Sequence, residues 1–393
     1  MVMKKLIAIS VVFALVAGTA FAVDLSGSVI GTVNVLEGSS VKDSKVTSSA
    51  SMNRLRLDGS GENDDGTFGG YIRAEAASAA SLEVNDKYDP SDPDSGEPFD
   101  FSGGGGGFSG YAWWKPIDQL KIWIGSNGGD GFFGKEGYTG WMFYQTVADT
   151  GVVKPGNTWG GGYSPWPYTF RHAFYGGGLD GQNAFYATIS PAEIVDINLE
   201  VPFFNGGEVG DVFKALIGQV SLNFDFGNIA LTYAGDSSDA TNGNVYIYFN
   251  LSAVDKLSLD VGVGLTIPGD REGDPIFAGL GAKYDITDAF GLKARVLGGF
   301  GGDNKEVGVV FDVLPYFAIN DSITAFLSGG VTVKSPDGGD AVVGFHVNPY
   351  VQIGQEWGPK FVAGFQLWSE GDKDADDKAI VKWGVPVAIN VSF

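Results

Sequence analysis

The sequence predicts an all-β protein: a transmembrane antiparallel β-barrel of eighteen strands, with sixteen strands as the alternative. Three observations predict this fold. Apolar and polar residues alternate along many short runs, which is the pattern of strands with two different faces. Glycine occurs 61 times in 393 residues and aromatic residues reach 13%, and both are common in barrels. Beyond residue 22 no stretch is long and apolar enough for a membrane helix, whereas a barrel strand exposes only alternate residues to lipid.

The first element is a predicted signal peptide. Lys4–Lys5 precede the apolar run Leu6–Ala17, and Ala20–Ala22 match an A-x-A cleavage pattern. The apolar run is too short for a spanning helix, which needs roughly 20 apolar residues. We therefore expect residues 1–22 to be cleaved and residues 23–393 to form the barrel. Cysteine is absent, so the exported chain must be stable without disulfides.

The first and last strands show the alternation most clearly. Residues 23–35 place valine, leucine or glycine at every odd position, and residues 381–393 place valine, tryptophan, isoleucine or phenylalanine there. Odd positions of the last strand are therefore predicted to face lipid, with Trp383 and Phe393 in opposite interfacial girdles. All strand centres are predicted near residues 29, 55, 72, 109, 122, 186, 198, 219, 231, 248, 261, 280, 295, 312, 327, 347, 364 and 386.

Two kinds of connection alternate between these strands. The short ones are 115–118, 191–193, 227–228, 253–256, 287–288 and 320–321. The longer, acidic and glycine-rich ones are 236–243, 268–275, 301–305, 335–340 and 370–377. Membrane barrels of bacteria have short periplasmic turns and long extracellular loops, so this alternation predicts that orientation.

Three prolines fall inside predicted strands: Pro315, Pro349 and Pro386. Proline has no N–H to donate to the strand ladder, and a closed barrel has no free edge on which to place it. We therefore expect a bulge or a kink at each of the three positions.

The connection 125–181 is much longer than all the others. It joins the fifth predicted strand to the sixth, so it is the third extracellular loop. A loop of this length is uncommon and is usually functional.

Together these features resemble a bacterial porin, because signal peptide, alternating strands, alternating connections, long third loop and terminal phenylalanine occur in that family. The N-terminal stretch MKKLIAISVVFALVAGTAFAVDLSG also resembles porin-like outer-membrane proteins of spirochaetes. The resemblance implies a location in the bacterial outer membrane, assembly as a homotrimer, and a third loop folded into the lumen. It also implies that Phe393 is the terminal aromatic residue that the barrel assembly machinery recognises.

In porins, cationic side chains on the wall oppose acidic side chains on the inward loop, and together they form the constriction. The candidates on the wall are cationic residues at the alternate strand positions that are predicted to face the lumen: Arg54, Arg56, Arg73, Lys293 and Arg295. The candidates in the loop are Asp130, Glu136 and Asp149. For each residue alone, a solvated charge on the channel wall is the alternative interpretation.

The aromatic residues permit a second interpretation. Sugar-selective porins line their channel with aromatic side chains, and the candidates for such a track are Trp123, Trp141, Trp159 and Trp166. The alternative is that these side chains pack the loop onto itself or lie in the interfacial girdles.

Charge and composition exclude several other functions. The formal net charge of −22 argues against a nucleic-acid partner, because such binding relies on clustered lysine and arginine. Excess acid favours a weak preference for cations. The two histidines, His172 and His346, belong to no nucleophile or zinc motif, so neither catalysis nor a cofactor is predicted. His346 is expected to be a hydrated side chain facing the lumen.

The sequence thus predicts a porin for passive diffusion of small hydrophilic solutes and ions through a water-filled channel, constricted by the third loop. The partners implied are outer-membrane lipid and the barrel assembly machinery. The alternatives are a sugar-selective porin, or a surface-exposed adhesin or structural protein that the barrel anchors.

Overall fold

Antiparallel strands form most of the part of the chain that the structure, a computed structural model, describes. This part comprises residues 22–42, 44–77, 81–84, 99–102, 106–126, 184–203, 209–236, 239–252, 254–267, 276–301, 306–335, 339–354 and 358–392. The strands are β1 (Ala22–Ser39), β2 (Thr47–Glu62), β3 (Phe68–Ala77), β4 (Ser81–Val84), β5 (Phe99–Ser102), β6 (Gly106–Ile117), β7 (Leu120–Ser126), β8 (Ala184–Ala192), β9 (Val195–Pro202), β10 (Ile217–Phe224), β11 (Gly227–Asp236), β12 (Asp239–Leu251), β13 (Leu257–Ile267), β14 (Ile276–Asp285), β15 (Phe290–Gly301), β16 (Glu306–Asn320), β17 (Ile323–Ser335), β18 (Val342–Gly354), β19 (Lys360–Gly364), β20 (Gln366–Ser369) and β21 (Lys382–Ser392).

The sheet closes into a barrel because β1 pairs with both β2 and β21. The strands β4 and β5 form a separate hairpin outside the barrel sheet. The segments β19 and β20 pair with β18 and β21 in one common register and are interrupted at Phe365, so they are two halves of one strand. The described residues therefore form eighteen barrel strands, which confirms the predicted count over the alternative of sixteen.

Side chains alternate between an apolar outer face and a polar inner face. In β18, Val343, Val347 and Val351 are exposed, whereas His346 and Asn348 between them are buried. Large exposed apolar side chains recur on every long barrel strand. This distribution is the reverse of that in a soluble protein and matches a barrel whose outer face contacts lipid. In β21 the predicted orientation is confirmed for Ile389 and Val391, which face outward, while Phe393 lies outside the described residues.

The short connections lie at one rim and carry local hydrogen bonds that fix each turn. Between β2 and β3, the Asn63 side-chain oxygen accepts hydrogen bonds from the backbone N–H groups of Thr67 and Phe68, at 2.9 and 2.8 Å. Gly66 has a φ of 65°, a conformation that glycine adopts without a steric cost. The hydrogen bond from the Thr67 hydroxyl lowers the pKa of the exposed Asp65 carboxyl in the same turn.

Aromatic side chains ring the barrel at this rim of short turns. Phe68 and Trp114 stack on the outer face with ring centroids 6.0 Å apart, and Phe224 stacks on Phe226 at 5.0 Å. Phe317 is exposed near the end of β16 at the same rim. Such a ring is the interfacial girdle of membrane barrels, where an aromatic side chain contacts both lipid tails and head groups.

One predicted long loop, 236–243, is wrong. Strand β11 extends to Asp236 and β12 begins at Asp239, and these two residues pair with each other. Glycine and small polar residues in this stretch do not prevent strand formation, because ladder pairing with the neighbouring strand outweighs their low strand propensity.

The connection between β9 and β10 contains the short helix α1 (Val209–Lys214). Within the described ranges, no helix has the length and apolar character needed to cross a membrane.

The three prolines have different consequences. At Pro386 the prediction is confirmed, because β1 carries a bulge between Asn34 and Leu36, and Asn34 pairs with Pro386. Pro349 lies opposite the break at Phe365, whose N–H donates to the Pro349 carbonyl at 2.9 Å. At Pro315 no bulge occurs, because β16 and β17 keep one register on both sides of it, and the alternative of a kink stays a prediction.

Candidate functional site

Two ion pairs lie on the inner face of β2 and β3. The Arg56 guanidinium contacts one Glu75 carboxylate oxygen at 2.7 and 2.8 Å. The Arg73 Nε lies 2.7 Å from Asp58 Oδ1, which also accepts a hydrogen bond from the Tyr71 hydroxyl at 2.6 Å. Each cation stands directly opposite its acid in the strand register. All four charged side chains are partly exposed, so this part of the wall borders accessible space.

Arg56 and Arg73 thus face inward as the sequence predicts, but their partners are strand residues. The sequence analysis did not identify Asp58 and Glu75 as these partners. The alternation along a strand predicts which face a residue occupies, but its partner on the next strand depends on the register. The side chain of Arg54 and the loop residues Asp130, Glu136 and Asp149 lie outside the described residues. Opposition of wall cations by the third loop therefore stays a prediction.

A buried ion pair lies on the other side of the barrel, between β15 and β16. Arg295 Nε and one terminal nitrogen each lie 2.6 Å from Asp312 Oδ2. Asp312 Oδ1 accepts no hydrogen bond from the described residues. His346 Nε2 lies 3.8 Å from this oxygen and 3.2 Å from Ser328 Oγ. Acid, cation and imidazole therefore form one cluster, here called the Asp312 cluster.

Gly330 of β17 makes the Asp312 cluster possible. It stands between Asp312 and His346 in the strand register. A Cβ at this position would overlap the Asp312 carboxylate and the imidazole ring. Only glycine therefore lets the two side chains approach each other across β17.

Burial of this cluster corrects two expectations. Arg295 and Lys293 face inward as predicted, but they are 2% and 3% exposed rather than solvated. His346, expected to be hydrated, is 1% exposed. In the described parts of the chain, no three His, Cys, Asp or Glu side chains are grouped so as to hold a metal ion.

Four aromatic rings form a continuous row on the inner faces of β3, β6, β7 and β8. The ring centroids of Tyr71 and Tyr111 are 5.5 Å apart, those of Tyr111 and Trp123 are 5.6 Å apart, and those of Trp123 and Tyr186 are 6.0 Å apart. We call these four residues the aromatic row. The predicted track residue Trp123 is at its centre, whereas Trp141, Trp159 and Trp166 lie outside the described residues. The three tyrosines were missed, although all of them stand on the inward parity.

Polar side chains border the aromatic row. The Lys121 ammonium lies 4.4 Å from the Trp113 ring centroid and 4.9 Å from that of Trp123. On the next strands, Gln219 donates a hydrogen bond to Thr232 at 2.8 Å. Asn198, paired with Gln219 in the register, makes no side-chain hydrogen bond within the described residues. Rings beside amide and ammonium groups form a surface with both apolar and hydrogen-bonding capacity.

Comparison with known proteins supports the fold. No protein-family model matches the chain, and no curated protein does. Among solved structures, the anion-selective porin from Comamonas acidovorans is 14% identical, with a TM-score of 0.51 over 95% of this chain and 100% of that one. A mutant of the Rhodobacter blastica porin is 16% identical, with a TM-score of 0.46 over 94% of this chain and 100% of that one. The chain thus has the barrel fold of a bacterial porin.

Proposed function

We propose that the protein is an outer-membrane porin through which small hydrophilic solutes and ions diffuse passively. The observation that carries this proposal is the division of the wall, with apolar side chains outside and charged, amide and hydroxyl side chains inside. A closed barrel satisfies the backbone hydrogen bonds of every strand within the bilayer. Barrels of 16 to 18 strands enclose an aqueous channel, whereas eight strands are filled by their own side chains. Passage through the lumen is a function that this architecture serves without catalysis.

The solute path runs along β2, β3, β6 and β7 in this proposal. Arg56, Arg73 and their acidic partners are 15% to 23% exposed there, whereas Arg295 and Asp312 across the barrel are 1% and 0% exposed. Charged groups next to accessible space order water and polar solutes. The wall of β15 and β16 is therefore assigned a supporting role.

The third loop, residues 125–181, supplies the constriction in this proposal. Its acids Asp130, Glu136 and Asp149 would stand against wall cations and limit the size of passing solutes. Deleting residues 141–167 should raise the single-channel conductance, because the narrowest part of the path is removed. A barrel-anchored adhesin predicts a different result, with unchanged conductance and lost binding of a surface ligand.

The proposed function can be tested by measuring liposome swelling in a series of solutes of increasing size. Liposomes containing refolded protein should swell in isotonic solutions of small sugars, at rates that fall as the solute becomes larger. Liposomes with protein that was boiled before reconstitution are the control and should not swell. Absence of swelling with the smallest solute would contradict passive diffusion.

The aromatic row favours a sugar-selective channel as the second candidate. Sugar faces stack on aromatic rings, and the hydroxyl groups of sugars bond to amide and ammonium groups such as those beside the row. Trp123→Ala should then slow sugar entry severalfold more than it slows entry of a small amino acid. Trp114→Ala is the matched control, because Trp114 is a tryptophan on the outer face of the neighbouring strand. Equal effects of Trp123→Ala on both solutes would favour the general porin.

Homotrimer formation and assembly by the barrel machinery complete the proposal. The first strands carry small residues on the outer parity, among them Gly27, Gly31 and Ala74. Small side chains let two barrels approach closely. Crosslinking of the protein in membranes should therefore yield a band of three chains, and a single-chain band alone would contradict the trimer.

A further inference from the structure

Two tryptophan rings hold a lysine ammonium on the proposed solute path. Lys121 is the second residue of β7 and lies next to the rim of short turns. Its Nζ lies 4.4 Å from the Trp113 ring centroid and 4.9 Å from that of Trp123, and both distances are within the roughly 6 Å of a cation–π contact. Trp113 and Trp123 stand opposite each other in the register of β6 and β7. The ammonium therefore has a fixed place beside two indole rings.

The charge of this ammonium is not neutralised by its surroundings. Among the residues that the structure describes, no carboxylate lies within ion-pair distance of Lys121 Nζ. The charged groups that act on it from neighbouring strands are Glu62 and Lys115, which have opposite signs, and Lys115 is itself 3.4 Å from Asp118. An aromatic ring attracts a cation through its quadrupole but carries no net charge. Lys121 is only partly buried, so its positive charge is available to an anion in the channel.

Groups beside Lys121 offer contacts for the rest of such an anion. The Trp123 ring continues into the aromatic row, with the Tyr111 centroid 5.6 Å away and the Tyr186 centroid 6.0 Å away. Thr188 stands directly opposite Lys121 on β8, and a threonine hydroxyl can donate a hydrogen bond to a carboxylate. A flat apolar ring can pack against the row, because aromatic groups favour stacked or edge-to-face contacts with one another. The wall thus presents a cation, a hydroxyl group and an aromatic surface side by side.

We propose that Lys121, Trp113 and Trp123 form a binding subsite for aromatic carboxylates on the solute path. This inference rests on the proposed channel function and adds a solute class to it. An aromatic carboxylate uses both features, since its carboxylate binds the ammonium and its ring packs against the aromatic row. A neutral sugar makes no ion pair, and a small anion such as acetate has no ring to pack. Both arginines whose side chains are described on β2 and β3 contact an acid, so they do not compete with Lys121 for the solute.

Block of the ion current in planar bilayers tests the subsite. Potassium benzoate is the probe, benzamide presents the same ring without the charge, and potassium acetate presents the charge without the ring. Each solute is added to both sides of single channels of refolded protein in about 0.1 M KCl, where charges are screened beyond about 10 Å. At equal solute concentration, the fractional loss of current should be about threefold or more larger for benzoate than for either other solute, because an ion pair and a ring contact act together.

Three variants separate the charge from the rings. Lys121→Gln removes the charge, so benzoate should then block no more than benzamide does. Lys283→Gln is the matched control and should keep the wild-type response, because Lys283 also lies near the rim of short turns but contacts Asp285 at 3.3 Å rather than two rings. Trp123→Leu keeps the charge but removes one ring, and the excess of benzoate over acetate should fall about twofold or more. Each variant that gives channel steps is folded, and either of the Lys121 and Trp123 variants is sufficient for the decision.

Equal block by the three solutes in wild-type protein would overturn the subsite. The same conclusion would follow if the preference for benzoate persisted in Lys121→Gln, or if Lys283→Gln lost it to the same extent. Absence of channel steps in wild-type protein would instead contradict the proposed channel function, and with it this inference. Steps on which benzoate has no preferential effect would leave that function in place and contradict the subsite alone.

Discussion

Asp312 and Asp58 show how differently two ion pairs of similar chemistry contribute to the barrel. Asp312 and its partner Arg295 are shielded from solvent, whereas Asp58 and Arg73 are 19% and 15% exposed. A buried cation that loses its partner has no water to replace it, while a partly exposed cation does. The energetic weight of each pair therefore follows from its position on the wall.

This difference gives a prediction for Asp312→Asn. The substitution removes the charge of the carboxylate that the buried Arg295 guanidinium contacts, and it should lower the free energy of unfolding by about 3 to 5 kcal/mol. Asp58→Asn is the matched control and should cost about 1 kcal/mol or less. Urea unfolding in lipid vesicles, followed by tryptophan fluorescence, measures both. Similar losses for the two variants would contradict the contrast in burial.

At the residue scale, the sequence predicted which charged side chains face the inside of the barrel, but not which residues they pair with. Arg56, Arg73, Lys293 and Arg295 lie on the inner face, because the side-chain period of a strand is two and parity is readable directly. Their partners Glu75, Asp58 and Asp312 depend on register, which is set by turns and bulges elsewhere in the barrel. Burial of His346 was not predictable from the sequence, because it depends on what packs around the wall.

At the scale of elements, pairing between aromatic residues and glycine explains part of the high glycine content. Three aromatic side chains lie over the glycine directly opposite in the register: Trp383 over Gly38, Trp113 over Gly69 and Tyr316 over Gly291. A ring that covers a strand glycine compensates for its missing side chain. The glycines are thus packing positions as well as points of flexibility.

Gly69→Val tests this packing. Its Cβ would overlap the Trp113 indole, so the substitution should cost about 1 to 3 kcal/mol. Gly218→Val is the control on a barrel strand, because a Cβ there meets nothing within 4 Å. The folded fraction, read as the faster-migrating band of unheated samples on a denaturing gel, should fall for Gly69→Val only. An equal loss in the control would show that strand glycines are required for another reason.

Strand positions were predictable at this scale, but their ends were less so. Every predicted centre lies within a strand of the structure, and residue 364 is the last residue of the half-strand β19. The loop predicted for 236–243 instead contains the ends of β11 and β12, because pairing between neighbours extends strands beyond what local composition favours. Pro349 and Pro386 marked irregular positions, but in both cases the irregularity falls on the paired strand, which a single strand's sequence does not show.

At the scale of the whole molecule, closure between β1 and β21 determines stability. Each barrel strand of the described chain has two neighbours, so no edge is available for pairing with another chain. The structure thus needs no disulfide, in keeping with the absence of cysteine.

Because the barrel is closed, the folded protein should resist denaturation by detergent. Unheated protein in dodecyl sulfate should migrate differently from boiled protein, because the closed hydrogen-bond network persists until heating. Deleting residues 382–393, which removes β21, should abolish this difference since the barrel cannot close. Identical migration of unheated and boiled full-length protein would contradict a closed barrel.

Recording current through a planar bilayer tests the central claim, that this barrel encloses a channel, most directly. Refolded protein added to one side should produce discrete upward steps of equal size, since each inserted barrel adds one water-filled path. Boiled protein at the same concentration should produce none. A full-length protein that inserts, shows heat-dependent migration and yet gives no steps at any voltage would contradict the channel.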